Sequence, residues 1–320
     1  MKKRSFLKLL GAALPWSASS VFAQSGSNKT IRVIVPLQAG SSNDMVARVL
    51  CAQMSTILGQ SIVVENKVGG NGSIGTMEVV RATPDGYTLL LASNSPLAAN
   101  LAFTKAMPYD PRTDLTPIGG ASLTNHVVMV KGDSPIRTFP EFLAYAKQRP
   151  GKVSVGYSTT SVQTQIATMN KQAGIELLAV PYKGSPATIT DVIGGVLDAT
   201  LTDPGNALVH VKAGTLRALA VGSLKRNPVA PDWPAISETL PGFDFPSWNA
   251  LVGPARMPRE LVNRLANALA QAQKNPDIIA NFAAAGTTNL VMGPDELKIY
   301  IANETTKWVR LAREANIQPE

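Results

Sequence analysis

Residues 31–44 read Ile31-Arg32-Val33-Ile34-Val35-Pro36-Leu37-Gln38-Ala39-Gly40-Ser41-Ser42-Asn43-Asp44. The mostly apolar run Ile31–Val35, β-branched except at Arg32, is a short strand, Pro36 ends it, and a helical periodicity starts at Asn43. A strand that feeds a helix through a polar bend is the repeating unit of α/β folds. The bend itself gathers backbone N–H groups and hydroxyls at a helix N-terminus, where an anion is held without a cationic side chain.

Working outward, the same unit recurs along the chain. Strands are predicted at Ile31–Val35, Ser61–Glu65, Tyr87–Ala92, Val127–Val130, Val153–Tyr157, Leu177–Val180, Ala199–Thr202 and Leu216–Val221. Helices are predicted between them at Asn43–Leu58, Ser73–Arg81, Phe139–Gln148, Val162–Gln172, Pro186–Ile193 and Asn206–Lys212, with Glu260–Ala272, Asp277–Ala285 and Pro294–Ala315 following. This alternation predicts an α/β fold with mainly parallel strands. The Pro-rich polar tracts Pro108–Pro117 and Asn227–Pro246 are expected near the places where the chain passes between two halves.

Ligands of such sheets bind at the C-terminal ends of strands, so the bends there are the candidate binding residues. They are Gly40, Ser41, Ser42 and Asn43 after the first strand, Ser93 and Asn94 after the third, Ser158, Thr159, Thr160 and Ser161 after Tyr157, and Gly184 and Ser185 before a later helix. Any one of these alone is ordinary turn and cap chemistry. Asp44 would repel an anion and is expected to cap or brace its loop. Asp203 follows the strand Ala199–Thr202; it either accepts a hydrogen bond from a ligand amine or hydroxyl or caps the next helix. Trp248 is read as packing, with the crevice as its alternative location.

The N-terminus reads Met1-Lys2-Lys3-Arg4, then an apolar run, then Val21-Phe22-Ala23, a small-x-small cleavage site. This is a secretory signal peptide, residues 1–23, and it implies a periplasmic protein. An ordinary Sec signal is the preferred reading, and a twin-arginine signal with Lys3 in the first Arg position is the alternative. Lys2, Lys3, Arg4 and Lys8 leave with it, which lowers the formal net charge from +8 to +4. The remaining charges are scattered, without the basic stripe that nucleic acid requires. No later apolar run reaches the ~18 residues of a membrane span, so the cleaved chain is expected to be soluble.

Catalytic and cofactor chemistries find little support. Gly70-Asn71-Gly72-Ser73-Ile74-Gly75 matches G-x-G-x-x-G, but it follows the second strand of its unit, and the next strand ends in Ser93-Asn94 without the acid that binds a ribose. It is read as a Gly-rich turn. His126 and His210 are the only histidines and Cys51 the only cysteine, and neither H-E-x-x-H, CxxC nor G-x-S-x-G occurs. No enzyme, cofactor or metal site is expected. Cys51 falls on an apolar helix face and is expected to be buried and inert.

Ordered blocks across nearly the whole chain after Ala23 resemble the Bug-type solute-binding proteins of tripartite tricarboxylate transporters. They include Val35-Pro36 through Gly40, Asp44 and Ala47-Arg48; Val64-Glu65-Asn66-Lys67; Pro84-Asp85-Gly86-Tyr87-Thr88-Leu89; Val180-Pro181-Tyr182-Lys183-Gly184-Ser185; and Lys212-Ala213-Gly214 through Val221. The resemblance implies a type II periplasmic binding fold, two α/β lobes with a ligand cleft between them. Residues 24–123 with 224–320 would form lobe 1 and residues 124–223 lobe 2. It implies a small organic acid ligand, a mono- or dicarboxylate, an aromatic acid or an amino acid, held by the loops at Gly40, Ser93 and Ser158. Partners would be the membrane permease subunits of the transporter, with a sensor kinase as the alternative, and the protein would be a monomer. The chain departs from the family pattern at Ser41-Ser42-Asn43, where glycines are usual, and at Ser158–Gln165, which lacks the usual Gly and His. On this reading the double substitution Ser158→Ala and Thr159→Ala weakens binding without lowering the melting temperature.

Overall fold

The computed structural model describes residues 29–227 and 230–314. The expected signal peptide, residues 1–23, lies outside the described residues. Strand β1 (Ile31–Val35) is buried except at Arg32, which pairs with Glu65 and Glu78, as its otherwise apolar run requires. Helix α1 (Ser42–Leu58) begins on the extended residue Ser41, whose hydroxyl accepts from Asp44 N, and stops at Gly59 in the left-handed conformation. Strand β2 (Ile62–Asn66), helix α2 (Ser73–Val80), strand β3 (Thr88–Ser93) and the one-turn helix α3 (Asn94–Leu97) follow. Strand β1 pairs in parallel with both β2 and β3.

A long strand, β4 (Leu115–Asn125), then leads through His126 directly into β5 (Val127–Lys131) of a second sheet. There the units run α4 (Phe139–Lys147), β6 (Val153–Tyr157), α5 (Thr160–Ala173), β7 (Leu177–Pro181), α6 (Ser185–Ile193), β8 (Ala199–Thr202), α7 (Pro204–Lys212) and β9 (Leu216–Val221). Residues 222–245 carry the chain back to β10 (Pro246–Pro254), and α8 (Arg259–Ala272), α9 (Pro276–Ala284), β11 (Thr288–Asn289) and α10 (Pro294–Glu314) complete it. The first sheet has the order β11-β4-β10-β3-β1-β2 and the second β7-β6-β8-β5-β9.

Helix α1 buries Val46, Leu50 and Met54 against Val262, Leu265 and Leu269 of α8 and Phe282 of α9 on one face of the first sheet. Cys51 lies on this face, and burial pushes its thiol up to about 12, which leaves it inert. On the other face Trp308 and Ile301 of α10 join an apolar cluster that continues into Val128, Val155 and Met169 of the second half. Among the described residues no helix is long and apolar enough to cross a membrane.

Three expectations are corrected here. Parallel pairing does not dominate: β10 runs antiparallel to β3 and β4, β11 to β4, and β5 to β8 and β9. The pair β4–β10 was not expected as strands at all, because Gly119, Gly120 and register shifts at Asn249/Ala250 and Leu251/Val252 break the alternation that marks a strand. Gly120 is required there, since a β-carbon would stand 2.4 Å from the Leu290 carbonyl oxygen. The tract Pro108–Pro117 does not make the first passage between halves, which falls at His126. Trp248 packs as the sequence reading preferred: it is fully buried, with its indole N–H donating to Glu304 Oε2 at 2.9 Å, and its alternative place at the crevice is not adopted.

Candidate functional site

The bend after β1 is built around Asp44. Its buried carboxylate accepts from Gly40 N (3.0 Å), from Arg48 Nε (3.0 Å) and, on its other oxygen, from Asn66 Nδ2 (3.0 Å). Burial opposes ionisation, but these bonds outweigh it and hold the carboxyl below its ordinary range. Asp44 is thus consumed in bracing the loop, while Ser41, Ser42 and Asn43 remain at the start of α1.

In the second half Thr159 is the N-cap of α5, its hydroxyl accepting from Val162 N at 3.3 Å. Gly184 is the N-cap of α6 and Asp203 that of α7, neither with a side-chain cap bond. Of the two readings offered for Asp203, the cap is therefore not the one its side chain adopts.

These four N-caps, from helices of both halves, line one polar cavity. Its walls are Leu37, Ser41, Ser42, Asn43, Ser93, His126, Ser158, Thr159, Gly184, Ser185, Asp203 and Ser247. No lysine or arginine is among them. The positive ends of four helix dipoles and several hydroxyls face this space, which favours an anion, while the Asp203 carboxylate on one wall opposes it. The cavity measures only about 20 Å³, room for a water-sized group. Asn43 is 5% exposed, and its Nδ2 has no partner, so it is an unused donor at the cavity wall.

The structure therefore brings Ser41, Ser42, Asn43, Ser93, Ser158, Thr159, Gly184, Ser185 and Asp203 together. It places the other expected site residues elsewhere. Gly40 is exposed and bonded to Asp44. Asn94, Thr160 and Ser161 form a buried seam between the halves: Asn94 Nδ2 donates to Ser161 Oγ (3.3 Å), Thr160 Oγ1 to Asn100 Oδ1 (2.8 Å), and Ser161 N to Ser95 Oγ (3.3 Å).

Sequence reasoning missed Leu37, Ser247 and above all His126 as cavity residues. His126 is 6% exposed, and Gln165 Nε2 donates to its Nδ1 at 2.9 Å. Burial lowers its pKa, against the opposing pull of the Asp203 carboxylate, so the ring is held neutral. A histidine at the join of two predicted strand systems was the only available signal. Among the described residues no cluster of His, Cys, Asp or Glu could hold a metal ion.

Comparison with known proteins adds four findings. The sequence profile described as "Tripartite tricarboxylate transporter family receptor" matches residues 46–317. Protein BugT of Bordetella pertussis is 32% identical over 313 residues, 97% of this chain and 94% of BugT. Among solved structures, the periplasmic binding protein BugD superposes with a TM-score of 0.87 at 29% identity, over 91% of this chain and 99% of that one. Rpa4515 of R. palustris, solved with adipate, superposes at 0.88 with 28% identity, over 91% and 98%. The periplasmic-binding fold expected from the sequence is the fold observed.

Proposed function

This chain belongs to the tripartite tricarboxylate transporter receptor family, and from that premise we propose that it is a periplasmic receptor that captures a small organic carboxylate and delivers it to membrane permease subunits. The observation that carries the reading is the meeting of four helix N-caps, Ser41, Thr159, Gly184 and Asp203, at one cation-free cavity between two sheets. Adipate in Rpa4515 is a carboxylate held by a protein of this fold, which supports the same ligand class here.

Capture proceeds by closure. The half that carries the first sheet moves as one lobe and the half that carries the second as the other, with His126 at the join between β4 and β5. A ligand enters the parted halves, and contacts from both sides favour the closed arrangement. Hydrogen bonds to a charged group contribute about 1.5–3 kcal/mol each, and a helix end about 0.3–1 kcal/mol. A few of them reach the ~8 kcal/mol of micromolar binding after association costs. The protein acts by binding and release, as a monomer, and needs no cofactor.

A thermal-shift screen over mono-, di- and tricarboxylates, aromatic acids and amino acids tests the reading, because a ligand selective for the folded state raises the melting point. At least one acid class is expected to raise it, and Ser42→Ala with Ser158→Ala to diminish the rise. A flat response across the whole panel overturns the carboxylate assignment.

A further inference from the structure

A second cavity adjoins the polar one and shares two of its walls, Ser42 and Asp203. It measures about 300 Å³. Met45, Val46 and Val49 of α1 form one side and Phe282 and Ala285 of the α9 end another, with Asn206 of α7 opposite. The lining is mainly apolar, and no lysine or arginine belongs to it. Met45 is 50% exposed on this side of α1. Asn206 Nδ2, by contrast, is inaccessible and unpaired.

The polar cavity is too small for more than the head of a ligand, whereas the adjoining one has room for a body of several carbons. We propose that the ligand is an amphipathic monocarboxylate, with its carboxylate at the four helix N-caps and its apolar body along α1 between α7 and α9. The inference rests on the carboxylate reading above and narrows it. A second carboxylate on the same ligand would pass the Asp203 side chain and come to rest among Met45, Val49 and Phe282 with no cation to pair it. Apolar walls and the adjacent Asp203 carboxylate make a second carboxylate there less favourable than a methyl group, so this chain selects against diacids of the adipate type.

Titration calorimetry of the purified protein with acetate, hexanoate and adipate tests this. Each methylene withdrawn from water contributes about fourfold in affinity. Hexanoate is therefore expected to bind at least about tenfold more tightly than acetate and than adipate. The double variant Met45→Gln, Val49→Thr, on partly exposed positions of α1, is expected to cut the hexanoate-to-acetate ratio at least about fivefold. A ratio near one, adipate binding more tightly than hexanoate, or a ratio that the variant does not move overturns the inference while leaving a carboxylate receptor standing. Absence of binding by all three acids, together with a flat thermal-shift panel, removes the carboxylate reading itself. The comparison of three acids on the unmodified protein decides the matter even if the variant fails to fold.

Discussion

Gly184 lies against the end of the Gln38 side chain, so that a β-carbon at position 184 would stand 2.6 Å from Gln38 Cγ and Cδ. Gln38 belongs to the bend after β1 and Gly184 to the bend before α6, so this contact joins the two halves at the rim of the polar cavity. The backbone at Gly184 is extended (φ 178°), so any residue can adopt it and only the side-chain volume matters. Gly184→Val is expected to push the flexible Gln38 side chain out of this contact and to weaken ligand binding a few-fold, at the low end of the ~1–3 kcal/mol of overpacking. Calorimetry for an identified ligand, with the ligand-free melting temperature unchanged, checks this; unaltered affinity would show that the halves need not meet here.

Thr159 has two duties that sequence alone did not separate. It caps α5 and lines the cavity. Thr159→Ala is therefore expected to lower the stability of the ligand-free protein by about 0.5–2 kcal/mol as well as to weaken binding. This revises the expectation that the double substitution with Ser158→Ala is silent in melting. Ser158→Ala alone, with no cap to lose, should weaken binding at constant melting temperature; denaturation curves of the two single variants separate the roles.

Asp44 makes loop stability depend on acid pH. Its native pKa lies below the ordinary carboxylate value, so the stability it confers is fully present above about pH 4 and is lost as the pH falls through the lowered native value. Asp44→Asn leaves the Arg48 and Gly40 donors with a weaker acceptor, at an expected cost of about 1–3 kcal/mol near neutrality. Urea midpoints at pH 7 and pH 3 check the sign: the gap between parent and variant should shrink at the lower pH.

His126 acts over a higher window. Its native pKa is lowered by burial, so the neutral ring's contribution is complete above about pH 6.5 and is lost as the pH falls toward the lowered native value. Stability should therefore decline from pH 7.5 to pH 5, and His126→Gln should flatten that decline. An equal decline in both proteins would assign the pH dependence to other groups.

Glu304 stabilises the first half without touching the site. Its Oε2 accepts both indole N–H groups, from Trp248 at 2.9 Å and Trp308 at 3.1 Å, and Lys307 Nζ lies 3.1 Å from Oε1. Glu304→Ala orphans two buried donors, each costing about 1–3 kcal/mol. A lowered urea midpoint with unchanged ligand affinity is the expected outcome.

The sequence alone determined the strand–bend–helix units, the end of α1 at Leu58, and the polar bends that line the cavity, because periodicity and turn chemistry depend on neighbours a few residues apart; the α1 cap fell at Ser41, two residues before the predicted start at Asn43. Tertiary structure alone decided the rest. The antiparallel β4–β10 pair joins segments more than a hundred residues apart, and its bulged, glycine-bearing strands carry no local signature. Thr160 and Ser161 follow Thr159 directly, yet each helical residue turns the side chain by about 100°, so one hydroxyl faces the cavity while the next two close the seam against Asn100 and Asn94. His126 became a cavity residue only because two sheets meet across it, and Asp203 lines the same cavity at the start of α7 without a side-chain cap bond.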